Sequence, residues 1–310
     1  MMNLISALKH FKRDSFHTYC EILKRIAPIV PDRLYIRWMY YFTFHKRLNL
    51  RNPKEFSEKI QWLKLYDRED FYTSYVDKLE SKKHVASLIG DKYIIPTLGV
   101  WQNFEDIDFN RLPDKFVLKT THDGGSAAVI VCANKKSFDK GKAKIIMNKS
   151  LKHSIYSTLK EWPYKNVKRQ IMAEEFIESD DGRELKDYKF FCFNGQAKLC
   201  QVISDRGSNE AINFYDREWQ LQPFCGLNIP NTASYEIASY EIAKPALYTE
   251  MLRIADTLSK DIPFLRVDLY YTNNQIYFGE LTFYPASGLG YFEPNEWNEK
   301  IGSWIEIKTE

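Results

Sequence analysis

Apolar residues recur along this chain first at helical and then at strand spacing, and the change falls near residue 94. Asn3 to Arg25, Asp32 to Phe44 and Glu55 to Tyr66 read as helices, separated by Pro28, Pro31 and Pro53. Ser57, Glu58 and Lys59, with the Ile60, Leu63 and Leu65 spacing, support the third. A further helix is predicted from Asp77, a suitable N-cap, to Gly90, a suitable stop. Strand patterns follow at 98–101, 116–119, 127–132, 170–177, 188–193, 198–203 and 212–215, with helices returning at 137–150 and 245–259. Asn194 and Gly195, between two such runs, are a hairpin signal. Many antiparallel hairpins with a few flanking helices predict an α+β fold rather than a doubly wound sheet.

Two late strands carry the most chemistry. Phe264 to Tyr271 and Ile276 to Thr282 flank a polar turn, and each holds one carboxylate, Asp268 and Glu280. Strands this apolar are at least half buried, and a buried carboxylate is costly unless a cation or hydrogen bonds meet it. Two facing carboxylates suggest a metal. A three-residue turn, Asn273 to Gln275, places Asp268 opposite Glu280 and Arg266 opposite Thr282 on one face; a two-residue Asn273–Asn274 turn flips Glu280 to the other side.

Composition narrows the setting. With 310 residues and 36.7 kDa the chain can bury a sizeable core of two or three lobes, and its net charge of +3 is too weak to argue for nucleic acid. Five cysteines without a CxxC pair point to a reduced compartment, and histidines without HExxH spacing argue against zinc. The N-terminus has no signal-peptide core, and the longest apolar run, Ala127 to Ala133, is too short to cross a bilayer. The expectation is a cytoplasmic protein. Between Tyr35 and Arg47, aromatics mixed with Arg37, Lys46 and Arg47 could touch a membrane surface or an anionic substrate, or simply pack and solvate a helix.

A second site reads from Phe116 to Ser126: a strand ending in Lys119, then Thr120, Thr121, His122, Asp123, Gly124, Gly125 and Ser126. Glycines let backbone N–H groups approach anionic oxygens, and the ammonium adds a point charge, so the stretch suits phosphate; a plain hairpin turn has the same composition. It is neither a P-loop nor a GxGxxG site. A third element, Ile171 to Glu178, is an apolar strand ending in Glu174 and Glu175 and continuing through Phe176 and Ile177, which can offer a slot for a base or a solvated edge. His122 and Asp123 are candidates for a general base or serve only to shape the turn. Asp106, Ile107 and Asp108 form a DxD, the mark of a competing glycosyltransferase reading.

The order of these parts resembles the TupA-like branch of the ATP-grasp superfamily, and more distantly D-alanine:D-alanine ligases. The likeness runs from about Asn52 to the C-terminus, through Asn52-Pro53-Lys54-Glu55-Phe56, Lys59-Ile60-Gln61-Trp62-Leu63-Lys64, Asp77-Lys78, the Lys119 strand, Glu174-Glu175-Phe176-Ile177, Asp187-Tyr188-Lys189-Phe190-Phe191, Arg266-Val267-Asp268 and Phe278-Gly279-Glu280-Leu281-Thr282. The resemblance implies an ATP-grasp fold in which two α+β lobes with antiparallel sheets clasp ATP. It divides the chain into a helical region at 1–75, a linker helix and small lobe at 76–173, and a large lobe at 174–310.

It further implies that Lys78 and Lys119 hold ATP phosphates under a lid of Gly124, Gly125 and Ser126. Glu174, Glu175, Phe176 and Ile177 would line the adenine slot, Asp187 would take the ribose, and Lys189 would reach the phosphates. Asp268 and Glu280 would bind Mg2+, and Arg266, with Lys119, would face the transferred phosphoryl group. Thr282 stands where such ligases usually place a metal-binding Asn. Ser287 and Gly288, within Pro285 to Gly290, would form the acceptor loop. The implied activity is ADP-forming ligation of a carboxylate, such as a hexuronic acid of a bacterial surface polysaccharide, to an amino acid or other amine; a glycosyltransferase or a kinase using the same pocket are the alternatives.

Overall fold

The computed structural model describes residues 26–125, 128–179, 185–204, 211–230 and 242–307. The helix expected at Asn3 to Arg25, and Ser126 and Ala127 of the glycine loop, lie outside the described residues.

Two antiparallel sheets dominate. The smaller is built from β1 (Thr97–Trp101), β2 (Phe116–Thr120), β3 (Val129–Cys132) and β4 (Ile171–Glu175), in the order β1-β4-β2-β3. Its strands alternate: Phe116 and Leu118 are fully buried beneath the helix Lys140–Lys152 through Ala143 and Met147, while Val117 and Lys119 turn to the other face. The boundary expected after residue 173 falls inside β4, whose five residues all pair within this sheet.

The larger sheet has the order β10-β9-β5-β6-β7, where β5 is Asp187–Phe193, β6 Gln196–Ser204, β7 Ala211–Tyr215, β9 Phe264–Thr272 and β10 Gln275–Thr282. Asn194 and Gly195, at φ 50° and 82°, make the two-residue turn between β5 and β6 that their composition predicts. One face packs on the helix Tyr248–Leu258, where Tyr248 meets Phe190 with ring centroids 5.9 Å apart. The opposite face carries Phe191, which meets Phe56 of the helix Phe56–Tyr66 and Phe264, with ring centroids 6.5 and 6.0 Å away; the helices Tyr72–Val76 and Glu80–Ile89 join the same continuous core, the latter beside the helix Tyr248–Leu258. A short pair, β8 (Cys225–Asn228) and β11 (Tyr291–Glu293), and the helix Glu296–Ser303 complete the architecture.

Local chemistry moves several boundaries. The helix expected over Asp77 to Gly90 begins at Glu80, because the Asp77 carboxylate accepts the N–H groups of Leu79 and Glu80 and leaves Lys78 in the bend before it. The helix expected from Ser137 starts at Lys140, where Asp139 accepts from Lys142 N. The helix expected from Pro245 starts at Tyr248.

Candidate active site

The β9–β10 hairpin takes the two-residue turn yet reaches the Asp268–Glu280 pairing that a three-residue turn would give. Asn273 and Asn274, at φ 50° and 54°, form a two-residue turn that pairs Gln275 with Thr272 and Phe278 with Leu269. Continued unbroken, that register would turn Glu280 away from Asp268. A bulge at Gly279 inserts one residue, so Glu280 pairs with Asp268 and Thr282 with Arg266. A Cβ on Gly279 would lie 3.0 Å from the Asp268 carbonyl oxygen and 3.1 Å from Tyr270 Cε2, so the bulge closes over a residue without a side chain.

The result is a transverse row on the face away from helix Tyr248–Leu258. Glu280, Asp268, Lys189 and Gln201 stand opposite one another on β10, β9, β5 and β6. Arg266 donates from Nε to Asp268 Oδ1 (2.7 Å), and from Nη2 to Asp268 Oδ2 (2.7 Å), Glu280 Oε1 (3.1 Å) and Thr282 Oγ1 (3.1 Å). Lys189 adds an ion pair to Asp268 and lies 3.8 Å from Asp187. Burial pushes the Asp268 carboxyl up, but the Arg266 and Lys189 charges outweigh it and hold it below the usual range. Burial likewise opposes the charge on Arg266, which Asp268 and Glu280 restore and reinforce.

Across from this row stands a second charged cluster. Glu174, buried, shares a face of the small sheet with Val117 and Lys119 and is ion-paired to both Lys119 and Lys82. The two ammonium groups overcome its desolvation and depress its pKa. Lys82 also donates to Ile95 O (2.6 Å) and Thr97 Oγ1 (3.1 Å). Lys78 bridges the clusters: its N–H donates to Thr121 O (2.9 Å) and its ammonium to the Asp123 carbonyl. Burial lowers the Lys78 pKa, opposed first by the charge of Glu280, and the charges of Lys119 and Glu174 are also felt. Lys78, Lys119, Glu174, Glu280, Asp268, Arg266 and Lys189 therefore form one electrostatic neighbourhood, drawn from both sheets and the bend before a helix.

The remaining expected residues separate by environment. Gly124 and Gly125 follow the Lys119 strand, Gly125 at φ 72°. Glu175 is exposed, Phe176 and Ile177 half-buried, and Lys115 sits 6.0 Å from the Phe176 ring centre. His122 is buried with Nε2 3.0 Å from Ser150 O, and burial lowers its pKa. The Asp123 carboxylate is engaged by Ser150 Oγ (2.8 Å) and His153 Nδ1 (3.2 Å), which keep it ionised against burial. The DxD residues serve local structure: Asp108 caps a 3-10 turn by accepting Asn110 N (3.0 Å), and Asp106 accepts Asn103 Nδ2 (3.0 Å).

Ser287 and Gly288 lie in a loop of three successive left-handed residues, with Ala286, Ser287 and Gly288 at φ 48°, 55° and 66°. The helix Phe56–Tyr66 holds them there. Gln61 Nε2 donates to the Ser287 and Gly288 carbonyls (2.9 Å each), and Lys64 Nζ to Ser287 O (2.7 Å) and Oγ (2.6 Å). Burial lowers the Lys64 pKa and raises that of its partner Glu161. Burial raises the Tyr164 pKa well above its ordinary value, and the charges of Glu161 and Glu280 add to the rise while that of Arg266 opposes it. Lys64, Lys82, Glu161 and Tyr164 escaped sequence reasoning as site residues, because each meets its partners across long stretches of chain; only Lys64 stood in a quoted motif.

The donor set suits Mg2+. Asp268, Glu280 and Thr282 bring hard oxygens to one face, and Mg2+ characteristically takes one or two carboxylates and leaves its other positions to phosphates and water. Among the described residues no group of three or more His, Cys, Asp or Glu side chains converges.

Compared with known protein families, residues 58–306 match the model described as TupA-like ATPgrasp, and the chain belongs to that ATP-grasp family. No curated protein matched significantly. Similar solved structures include the D-alanine–D-alanine ligase of Bacillus anthracis complexed with ATP (16% identity, 68% of this chain and 54% of that one, TM-score 0.38). The Helicobacter pylori D-alanine–D-alanine ligase (15%, 82% and 70%, 0.40) and the D-alanyl-alanine synthetase A of Vibrio cholerae (12%, 81% and 64%, 0.42) are further examples. The chain thus spans about half the length of the Bacillus anthracis enzyme it matches.

Proposed function

We propose that this protein is an ATP-dependent carboxylate–amine ligase that works through an acyl phosphate and joins an amino acid or other amine to a carboxylated sugar, such as a hexuronic acid of a bacterial surface polysaccharide. The observation that carries the reading is the gathering of Arg266, Asp268, Glu280 and Lys189 on one sheet face, with Lys78 within the fields of Glu280, Lys119 and Glu174. An unactivated carboxylate does not acylate an amine in water, since its leaving group would be oxide; transfer of the γ-phosphoryl group supplies a leaving group. Such transfer consists of positioning and charge neutralisation.

In this scheme Lys78, Lys119 and Lys189 bind the phosphates, beneath Gly124, Gly125 and Ser126. Arg266 stabilises charge on the transferred group. Mg2+ would be held by Asp268 and Glu280, with Thr282 beside them, and would offset charge on the phosphate oxygens. Glu175, Phe176, Ile177 and Asp187 line the nucleoside end, and Glu174 keeps Lys119 oriented by pairing with it. Ser287 and Gly288 face the acceptor. The small sheet, with all of β4, and the larger sheet would then meet around the nucleotide.

Mass spectrometry of products from ATP, a panel of uronic acid glycosides and pooled amines tests the reaction. The expected product lacks one water relative to the acid and amine pair, and Asp268→Asn or Glu280→Gln should lower its formation by about 10²-fold or more. Tight UDP-sugar binding without ATP binding, or ADP release without an amide, would replace the ligase reading by a transferase or a kinase.

A further inference from the structure

Charge is distributed unevenly along this chain. Residues 1–51 hold ten Lys and Arg against three Asp and Glu, a net +7 in a chain whose total is +3, so residues 52–310 carry −4. From Arg33 to Arg51 there is no acidic residue at all, while Arg33, Arg37, Lys46, Arg47 and Arg51 are cationic. Asp32, the one acid in the helix Asp32–Phe44, is neutralised by Arg68 (2.8 Å) and Lys160 (3.2 Å).

The same helix presents an apolar surface. Tyr35, Ile36, Met39 and Tyr40 point inward, and the outer face carries Leu34, Trp38 and Tyr41, which are 41%, 36% and 49% exposed, with Arg33 and Arg37 exposed among them. Ile29, just before the helix, is 84% exposed. Leu34, Trp38 and Tyr41 are spaced by four and three residues and so form one stripe, about 10 Å long at 1.5 Å per residue. Tryptophan and tyrosine beside arginine and aliphatic side chains is the combination that a headgroup region solvates at both its apolar and its charged ends. No helix among the described residues is long and apolar enough to cross a membrane.

We propose that the outer face of the helix Asp32–Phe44 docks on an anionic lipid surface, with Ile29, Leu34, Trp38 and Tyr41 at the acyl boundary and Arg33 and Arg37 at the lipid phosphates. The docking does not depend on the ligase reading. It does bear on the acceptor, because the inward face of this helix, through Tyr35, Ile36 and Met39, lines a cavity shared with Lys64, Ser287 and Leu289. One helix diameter, about 10 Å, then separates the bilayer surface from the Ser287 loop. A lipid-linked acceptor could reach the loop without leaving its membrane.

The test is co-sedimentation of the full chain with vesicles of phosphatidylglycerol and phosphatidylethanolamine, and separately of pure phosphatidylcholine, at about 0.1 M salt. Binding to the anionic vesicles alone is expected, weakening as salt is raised. Arg33→Gln with Arg37→Gln should weaken partition by about 30-fold, roughly fivefold per arginine. Trp38→Ser with Tyr41→Ser should weaken it to a similar extent, with circular dichroism and Mg-ATP affinity unchanged in both. No binding, equal binding to both vesicle types, or native-like binding by both double variants would overturn the proposal. So would a lipid-free dimer that dissociates on Trp38→Ser, which would assign the face to a second copy of the chain.

Discussion

Replacing Gly279 tests whether the bulge is what brings the two carboxylates together. A Cβ there would sit 3.0 Å from a backbone oxygen and 3.1 Å from the Tyr270 ring, and the nearer neighbour cannot swing aside as a side chain could. Overpacking of this kind costs about 1–3 kcal/mol, and in a chain of 310 residues each kcal/mol lowers the melting temperature by about 1.5 °C. Gly279→Ala should therefore melt about 1.5–5 °C below the native protein, and Gly279→Val lower still. The alternative relief, flattening the bulge, would place Glu280 opposite Val267 on the face packed by Phe190 and the helix Tyr248–Leu258. Burying a carboxylate without a partner there costs more than the clash it removes, so the register should hold while the Glu280 side chain is displaced. Thermal melts and calorimetric titration with Mg-ATP read both effects, and affinity should fall about tenfold or more in Gly279→Val. A Val variant with native melting temperature and native affinity would refute the reasoning.

Lys82→Met should leave Glu174 paired with Lys119 alone and destabilise the fold by about 1.5–3 kcal/mol in urea denaturation, the worth of one hydrogen bond to a charged group, since Lys119 still neutralises the carboxylate. Asp268 and Glu174 both titrate below their ordinary values in the folded state, so the native protein binds fewer protons than the unfolded chain. Their stabilisation is complete above about pH 5 and drains away as pH falls through 4 and below. An acid titration followed by circular dichroism should show this loss, and it should be shallower in Glu174→Gln. Gly302→Ala would place a Cβ 2.1 Å from Lys54 O and 2.7 Å from Phe56 N, where the helix Glu296–Ser303 crosses the start of the helix Phe56–Tyr66; yield of soluble protein should collapse, and normal expression and melting would contradict that packing.

Much of this architecture could be read from local pattern, because strand alternation and turn composition are local quantities. The β5–β6 and β9–β10 turns follow from Asn-Gly and Asn-Asn, and Lys119, Asp268 and Glu280 stand out as isolated charges in apolar runs. The hairpin register was not fixed by its turn alone. A two-residue turn pointed one way and the chemistry of facing carboxylates the other, and only the bulge at Gly279 reconciles them. The Lys82–Glu174 and Lys64–Ser287 pairings were hidden for a different reason: nothing in the neighbourhood of either lysine announces a partner 92 or 223 residues away. The strands Cys225–Asn228 and Tyr291–Glu293 are too short to show an alternation of their own.

The grip of Gln61 and Lys64 on the Ser287 loop also sets a timetable for biosynthesis. A ribosome adding about 5–20 residues per second takes on the order of 10–45 s to travel from Lys64 to Ser287. For that interval the helix Phe56–Tyr66 carries an ammonium group whose Ser287 carbonyl and hydroxyl acceptors do not yet exist. The Ser287 loop can be clamped only after it has been made, so a chain that stops short of it leaves the ribosome with Gln61 lacking the carbonyls it holds and Lys64 lacking its hydroxyl.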